Sequence, residues 1–499
     1  MPRFRRRTPG IVTLFFVALF PVAFAGCGGS TPTDETPAAA STETTSGAAI
    51  YAAYVLLTEA PDGTPQPIAR VIVDAPSACP ALDDGAGGTV ATTPRDNPHG
   101  FEVLVCEALV PFGQSYSVTG WANPLPAASK SPTHPVIVGD TGCKSKDCAA
   151  GTPASPFQLI ASQAALKDPD LVLHAGDFNY RGTGGFDYQG NSDYPEYDAG
   201  DVDPDDPQCQ LDDLYVSQNA GYSDQPDTWN NWNLDFFEPA ADLLAQAPFV
   251  VTRGNHELCS RAGPGWFYFL DPSSNLNGTQ LSCPDQGGDA PPQGAEGHIV
   301  LRPPQTIELD TLRIVSIDAA NACDAFAPDF TTGPYTQQFV DILSAIPDAG
   351  AGPTTWILGH RPTWAADTST SAIAQTLSTA FSQALGQLGL GEPPAGLTLM
   401  IAGHMHQFQT DTFDGSRPPQ LVVGNSGVKS SGPYPSSSFQ QTVDGLQAKG
   451  IASIEHGFLD ITSFDPQTGT WQATLFATDG STVIATCDSS APDGSICAF

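Results

Sequence analysis

Side chains with oxygen or nitrogen donors follow five short apolar segments of this sequence, and each block of donors contains a glycine. The blocks are Gly139-Asp140-Thr141-Gly142, Gly176-Asp177-Phe178-Asn179-Tyr180, Gly254-Asn255-His256-Glu257, Gly359-His360-Arg361-Pro362 and Gly403-His404-Met405-His406. Carboxylate and phenolate oxygens suit a hard trivalent ion, while imidazoles with an amide oxygen suit divalent iron, zinc or manganese. Seven such donors are many for one ion and natural for two that share a carboxylate. The residue types therefore predict a site for two metal ions.

Two metal ions about 3.5–4 Å apart can clamp a phosphate, generate hydroxide near neutral pH and stabilise the leaving oxygen. Taken singly, the blocks are weak signals, because a lone Gly-Asp or histidine is more often a turn or a buried structural residue. His404 and His406 form a stronger signal, since alternate residues of an extended segment point to the same side. Five blocks in order, each after an apolar segment, favour a functional site over chance.

The elements that position these blocks are predicted from apolar periodicity. Buried strands are predicted at Val136–Val138, Leu171–Leu173, Phe249–Thr252, Leu312–Ile317, Trp356–Leu358 and Leu397–Ile401. Helices are predicted between them at Pro156–Leu166, Pro239–Ala245 and Ala372–Leu388. This alternation indicates an α/β domain over residues 131–499, in which donors past the strand ends meet at one edge of the sheet. Residues 49–130 show only strand-like runs and predict a small all-β domain before it.

The ordered blocks resemble the calcineurin-like metallophosphoesterases, and the purple acid phosphatase branch in particular. Gly142 stands where other members carry a histidine ligand, and Tyr180 supplies a phenolate instead. The resemblance spans Asp140 to His406. It implies a metallophosphoesterase-type β-sandwich flanked by helices (αββα), and the β domain before it also resembles the longer members of the family.

The resemblance further implies two metal sites that share Asp177. The ferric site would consist of Asp140, Tyr180 and His406 with Asp177. The divalent site, for iron, zinc or manganese, would consist of Asn255, His360 and His404 with Asp177. These two sites account for all seven donors.

Two further residues of the blocks are candidates for catalysis. In the logic of this family, His256 lies beside the phosphate, where a protonated imidazole stabilises the transition state or protonates the leaving alkoxide. The alternative is that His256 only orients Asn255. Arg361 stands where some members place substrate-handling histidines, and it could contact phosphate oxygens with its planar guanidinium. The alternative for Arg361 is an arginine exposed to solvent or paired with a carboxylate. His174 is predicted to be a packed histidine.

The N-terminus reads as an export signal. An Arg-rich start precedes the apolar segment Ile11–Ala25, which is too short to span a bilayer and fits a signal peptide. The sequence Phe24-Ala25-Gly26-Cys27 resembles a bacterial lipoprotein processing site, so residues 1–26 are predicted to be a lipoprotein signal peptide and Cys27 the lipidated residue. Ordinary secretion is the alternative. Residues 27–48 predict a flexible tether, and Gly28 favours the outer membrane in a two-membrane cell. The protein is therefore expected to be a membrane-anchored lipoprotein at the outer membrane, in the periplasm or on the cell surface.

The cysteine count agrees with export. Ten cysteines remain beside Cys27, enough for five disulfides in an oxidising compartment. Neighbours in the sequence suggest the pairs Cys79–Cys106, Cys143–Cys148, Cys259–Cys283 and Cys487–Cys497. A metal site at Cys143 and Cys148 is a weaker alternative, because no second pair follows.

The charge of the chain restricts its partners. The sequence has 54 Asp and Glu against 19 Lys and Arg, a formal net charge of −35. So acidic a protein repels polyanions, which excludes a nucleic-acid scaffold. Residues 183–228 are predicted to be an acidic, solvated insertion. Membrane contact is expected through the N-terminal lipid only, and the sequence leaves the oligomeric state open.

These features predict an exported phosphoesterase with two metal ions. The expected reaction is hydrolysis of a small phosphomonoester by attack of metal-bound hydroxide, as in an acid phosphatase. The same core can support a phosphodiesterase or nucleotide hydrolase, which is the first alternative. The second is a surface lipoprotein that binds a ligand without turnover.

Overall fold

The computed structural model describes most of the chain from residue 49 onward. The described residues are 49–98, 100–143, 148, 151–181, 227–258, 262–283, 301–322, 329–347, 352–366, 377–429, 437–465, 468–491 and 496–499. The predicted signal peptide, Cys27 and the tether lie outside these residues, as does all of the acidic insertion except its last two positions.

The described residues form 22 strands, numbered here in chain order. They are β1 Ile50–Glu59, β2 Pro65–Asp74, β3 Leu82–Asp83, β4 Thr89–Val90, β5 Thr93–Pro94, β6 Val103–Leu109, β7 Ser117–Val118, β8 Pro135–Val138, β9 Leu171–His174, β10 Phe249–Val251, β11 Gln305–Glu308, β12 Leu312–Ser316, β13 Thr354–Leu358, β14 Leu397–Ala402, β15 Phe408–Phe413, β16 Gln420–Val423, β17 Ser437–Val443, β18 Leu446–Ser453, β19 Gly457–Phe464, β20 Trp471–Ala477, β21 Val483–Asp488 and β22 Cys497–Ala498. All six strands that the sequence predicts in the α/β region, between Val136 and Ile401, are confirmed, with ends that agree within two residues.

Two large mixed sheets pack face to face. One has the order β22-β21-β20-β19-β8-β9-β10-β1-β2-β6-β5, and the other has the order β11-β12-β13-β14-β16-β15-β18-β17. Between them lies an apolar core to which Ile137 and Leu173 of the first sheet and Leu358 and Leu399 of the second contribute fully buried side chains. Each sheet covers one face of the other, so the central strands of both sheets are buried. In the sequence they appear as continuous apolar runs.

Helices cover the outer faces of both sheets. They are Phe157–Ala165, Trp229–Trp232, Ala241–Gln246, Gly263–Phe269, Asp329–Ala345 and Ser378–Leu388, with a π-helical turn at Asn233–Phe237 and a 3₁₀ turn at Asn255–Glu257. One apolar cluster joins the earlier helices to the first sheet, and another joins the last two helices to the second sheet. The layers agree with the predicted α/β class. Within the part of the chain that the structure describes, no helix is both long and apolar enough to cross a membrane.

Two of the three predicted helices are confirmed, and the third begins later than expected. The helices near 157–165 and 241–246 match their predictions, while the last one begins at Ser378 instead of Ala372, and 372–376 lie outside the described residues. The helix Gly263–Phe269 was not predicted, because all seven of its residues are buried and it has no polar face. The helix Asp329–Ala345 contains Pro334, which breaks the helical pattern in the sequence.

The strands of residues 49–130 do not form a domain of their own, which corrects the predicted boundary. β1 pairs in parallel with β10, with Leu56 opposite Phe249, and β2 and β6 continue the same sheet outward. Among the described strands, only the short β3, β4 and β7 form a separate small sheet. Most residues of β1 and β2 are buried. Strands covered on both faces belong to the interior of a larger layered fold, not to a small separate domain.

Three of the four predicted disulfides are confirmed. Cys79–Cys106 holds the chain after β2 against β6, Cys143–Cys148 closes a loop directly after the first donor block, and Cys487–Cys497 joins β21 to β22. The disulfide between Cys143 and Cys148 also excludes the alternative of a metal site at these two cysteines. The fourth prediction involves Cys259, which lies outside the described residues.

A histidine that joins two strands makes stability depend on pH. His134 precedes β8, and its Nε2 lies 2.7 Å from Asp460 Oδ1 of β19. The hydrogen bond to Asp460 raises the pKa of His134 above its usual value, against the effect of burial. Since the folded pKa is the higher one, the stabilisation is complete below the unfolded value of about 6.5 and is lost as pH rises through the folded pKa. We expect His134→Gln to lower the thermal unfolding temperature more at about pH 5.5 than at about pH 9, and an equal loss at both would contradict this.

Candidate metal centre

The five donor blocks meet where the two sheets come together. β8, β9 and β10 are neighbouring parallel strands of one sheet, and β13 and β14 are neighbouring parallel strands of the other. Parallel strands end at the same edge, so the loops after them lie side by side. The structure thereby brings together all seven residues that the sequence predicts as metal ligands.

Two carboxylate oxygens and an imidazole nitrogen surround the hydroxyl of Tyr180. Tyr180 Oη lies 2.9 Å from Asp140 Oδ1, 2.8 Å from Asp177 Oδ2 and 3.0 Å from His406 Nε2. The hydroxyl has one proton and cannot donate to both carboxylates at once. Asp140, Asp177 and His406 also offer ligand atoms within 4.8 Å of one another. Buried anionic oxygens this close together need a cation between them, so the residues present fit a metal ion.

A second group of donors shares Asp177 with the first. Asp177, His360 and His404 offer ligand atoms within 4.8 Å of one another, and His360 Nε2 lies 3.0 Å from Asn255 Oδ1. The other ring nitrogen of His360 lies 2.8 Å from the carbonyl oxygen of Ala175, which it reaches as a donor. This hydrogen bond leaves Nε2 of the neutral ring as an acceptor facing the centre. The donor set therefore fits two ions, with Asp177 common to both.

The pKa values of the cluster show the electrostatic cost of these groups without a cation. Burial, with the negative charge of Asp177, raises the pKa of Asp140 well above its usual value. Burial and both carboxylates raise the pKa of Tyr180 well above 10. Burial lowers the pKa of His360, but Asp177, Asp140 and the hydrogen bond to Ala175 together outweigh burial and raise the pKa to about 9. Protons are held where metal ions would supply the positive charge.

Four of the seven predicted ligands have left-handed backbone conformations. The φ angles are +54° at Asp140, +57° at Asp177, +71° at His404 and +48° at His406. Such angles are uncommon for residues other than glycine and cost free energy that the surroundings must offset. Hydrogen bonds between the loops hold them, including His404 N–H to Asp140 Oδ2 at 2.8 Å. Conformations of this kind are concentrated where ligand positions are fixed before a ligand binds.

Gly142 is a position where only glycine fits. A Cβ there would lie 2.6 Å from the carbonyl oxygen of Phe178 and 2.7 Å from Cδ2 of Tyr180. Both distances are shorter than real contacts, and the obstacle includes backbone. The absence of a side chain at 142 is therefore what lets the Tyr180 ring reach the two carboxylates.

Glu257 joins two of the loops, a role that the sequence did not reveal. Its carboxylate accepts hydrogen bonds of 2.8–3.1 Å from the backbone N–H groups of Asp177, Phe178, Asn179 and Gly254. Burial and the charge of Asp177 raise its pKa to about 8, while the four donors occupy the lone pairs that a proton would need. Its place at the end of the third block was the only signal in the sequence.

His174 has the packed position that the sequence predicts. Its ring stacks on Phe178 at a centroid distance of 3.7 Å and is fully buried. Gly176 N–H donates to Nδ1 at 3.2 Å, which leaves Nε2–H to donate to Thr141 Oγ1 at 2.9 Å. Burial lowers the pKa of His174 well below its usual value, so the ring stays neutral. It thus links the residues next to Asp140 and Asp177.

His256 and Arg361 both lie at the donor cluster. The ring of His256 lies against that of Tyr180 at a centroid distance of 3.9 Å, and the backbone N–H of His256 donates to Asp177 Oδ1 at 3.0 Å. Arg361 is buried, and its Nη1 lies 3.1 Å from His404 Nε2. A buried guanidinium beside a predicted metal ligand excludes the alternative of a solvent-exposed arginine.

Comparison with known proteins gives one family. The family profile described as calcineurin-like phosphoesterase (Metallophos) matches residues 134–408, which contain all five blocks. No curated protein matches the sequence. Among solved structures the chain is similar to one titled "GAP50 the anchor in the inner membrane complex of Plasmodium", at 13% identity and a TM-score of 0.36, over 72% of this chain and 88% of that one. At this score the likeness decides nothing about the present chain.

Proposed function

Since the chain belongs to the calcineurin-like phosphoesterases, a family of metal-dependent phosphoester hydrolases, we propose that it is a phosphomonoesterase of the purple acid phosphatase type. The observation that carries the finer assignment is the position of Tyr180. Its hydroxyl lies within 3.0 Å of Asp140, Asp177 and His406, in space that Gly142 leaves open. A phenolate among carboxylates suits a ferric ion, and the histidine-rich group of His360 and His404 suits a divalent ion.

In this proposal, each side chain of the centre has a defined task. Two bound metal ions would supply positive charge to the phosphoryl oxygens and lower the pKa of a water molecule. Asp177 would belong to both sites, because its Oδ2 lies 2.8 Å from Tyr180 Oη and 3.3 Å from His360 Nε2. Arg361 binds phosphoryl oxygens through its planar guanidinium, and His256 donates a proton to the leaving alkoxide. Water attacks phosphorus in line, and no phosphoenzyme forms.

A comparison of two chromogenic substrates tests the substrate class. We expect the purified protein to hydrolyse p-nitrophenyl phosphate with a higher kcat/KM than bis(p-nitrophenyl) phosphate. A preference for the diester would make the protein a phosphodiesterase or nucleotide hydrolase on the same centre. Metal-loaded protein that hydrolyses neither ester would instead favour a binding lipoprotein.

Tyr180→Phe tests the type of metal site. If Tyr180 is a ferric ligand, the oxidised protein is violet from a phenolate-to-iron absorption band, and the variant is colourless. The substitution removes only a hydroxyl, so the ring keeps its place beside His256. Absorption spectra with iron analysis make the measurement. A colourless, iron-free wild type with full activity would refute the purple acid phosphatase assignment and leave a generic dimetal esterase.

We also propose that the protein is exported and anchored to a membrane by a lipid on Cys27, with no other membrane contact. The three disulfides support an oxidising compartment, because such bonds are rare in the cytosol. Mass spectrometry of the N-terminal peptide tests this: a diacylglyceryl mass on Cys27 is expected, and an unmodified or uncleaved N-terminus would contradict it.

A further inference from the structure

The segment that follows His360 is buried but irregular. Residues 361–366 belong to no helix or strand, and Arg361, Thr363, Trp364 and Ala366 are each at most 6% exposed. Backbone N–H and C=O groups that are buried outside regular structure need other hydrogen-bond partners. The identity of those partners shows what fixes this segment.

Side chains of two neighbouring strands supply the partners. Gln420 Oε1 accepts from the N–H groups of Thr363 and Trp364, at 3.0 Å each. Asp411 Oδ1 accepts from Ala366 N–H at 2.9 Å, and Gln409 Nε2 donates to the carbonyl oxygen of Ala366 at 2.8 Å. The three side chains, from β15 and β16, thus make four hydrogen bonds to the backbone of three residues.

The geometry of the strands makes this support rigid. Asp411 and Gln420 are opposite each other in the antiparallel pair β15–β16, and Gln409 is two residues from Asp411 on the same face. All three are at most 1% exposed. Packing also holds the segment, since the rings of Trp364 and Phe381 contact each other with a centroid distance of 4.7 Å. A segment held in this way has little freedom to shift.

The residue that this support would control is Arg361. Its guanidinium lies 3.1 Å from His404 Nε2, and one residue, Pro362, separates Arg361 from the anchored part of the segment. The contact with His404 places the guanidinium beside a predicted metal ligand, within reach of an anion bound at the centre. An arginine on a fixed backbone loses little conformational entropy when it binds phosphate.

We propose that Gln420, with Gln409 and Asp411, are positioning residues for Arg361: they fix residues 361–366 so that the guanidinium meets the phosphoryl group. The inference rests on the proposed function, because it takes a phosphate as the ligand of Arg361. It adds residues outside the five donor blocks to the determinants of substrate binding. His360 is anchored separately, by hydrogen bonds to the carbonyl oxygen of Ala175 and from Gly403 N–H. The positioning therefore concerns phosphate affinity and not metal binding.

The test uses Gln420→Met, which keeps the length of the side chain and removes the acceptor. Inorganic phosphate is the probe, and its Kd is measured by calorimetry on the metal-loaded full chain, with metal content determined on the same samples. We expect Gln420→Met to raise the Kd of phosphate about tenfold and to leave the metal content unchanged. A tenfold change corresponds to the loss of one charge-assisted hydrogen bond to the phosphate. Arg361→Ala should raise the Kd to a similar extent. In the Arg361→Ala background, Gln420→Met should add less than about twofold, because its effect acts through Arg361.

A matched control separates positioning from general loss of a buried amide. Gln338 is 6% exposed, and among the described residues neither of its amide atoms has a hydrogen-bond partner. Gln338→Met should leave the Kd of phosphate within about twofold of the wild type. A phosphate Kd that Gln420→Met leaves unchanged, or equal effects of this substitution in both backgrounds, would overturn the proposal. Because the Kd needs no turnover, a wild type that binds phosphate but hydrolyses no ester refutes the proposed function and not the positioning.

Discussion

Replacing Asp177 with asparagine is expected to remove both metal ions and to lower kcat/KM for a phosphomonoester by about 10³-fold or more. Asp177 belongs to both groups of candidate ligands. Its Oδ2 lies 2.8 Å from Tyr180 Oη and 3.3 Å from His360 Nε2. Asparagine has nearly the same shape, but its amide carries no negative charge, so it cannot offset the charge of two cations that share it. Metal analysis after dialysis and steady-state kinetics measure the two effects.

The control for this substitution lies at the other end of β9. Asp170 immediately precedes β9 and accepts hydrogen bonds from Thr133 and His134, whereas Asp177 follows the strand at its other end. Asp170→Asn should keep two metal ions and normal activity. If Asp177→Asn also kept two ions per chain, Asp177 would not be the shared ligand, and the two groups would not form one dimetal centre.

The second large effect is expected at Glu257. Glu257→Leu should lower the free energy of unfolding by about 3–5 kcal/mol and weaken metal binding at least 10-fold, because it leaves four buried N–H groups without their acceptor. Three of these groups belong to Asp177, Phe178 and Asn179 and the fourth to Gly254, so the loops after β9 and β10 lose their connection. Chemical denaturation of the metal-free protein measures stability, and competition with a chelator measures metal affinity.

A surface glutamate gives the comparison for this variant. Glu102 is exposed, and Glu102→Leu should change the unfolding free energy by no more than about 0.5 kcal/mol. Should Glu257→Leu unfold at the same denaturant concentration as the wild type, the four hydrogen bonds would not be what holds the two loops together.

The site was more predictable from the sequence than its support. Each predicted ligand follows a short apolar strand, and both features are local, so the sequence suffices to predict that Asp140, Asp177, Asn255, His360 and His404 meet at one edge. Glu257 accepts from the backbone of residues 177–179 and Gln420 from that of residues 363–364, which are far from them in the sequence. Such contacts depend on which loops the fold brings together, and no local pattern encodes them.

The same distinction between local and long-range information applies to the fold. The strands of residues 49–130 were recognised from their own composition. Their membership of the main sheet depends on the parallel pairing of Leu56 with Phe249, which leaves no periodic signal in either segment. The helix Gly263–Phe269 was missed for a related reason, since a helix buried on all sides shows no alternation of polar and apolar residues.

The position of β8 in the first sheet has a consequence for how the chain acquires its structure. β8, whose end leads into Asp140, is flanked by β9 and by β19, and the pairing of Ile137 with Leu459 joins residues separated by most of the chain. Pairings of such high contact order form slowly, and until they form β8 is an open edge that can pair with another molecule. Residues 134–408, which match the family profile, lack this partner strand. Expressed alone they should aggregate instead of folding, and a chain still in synthesis should need protection of that edge until β19 emerges.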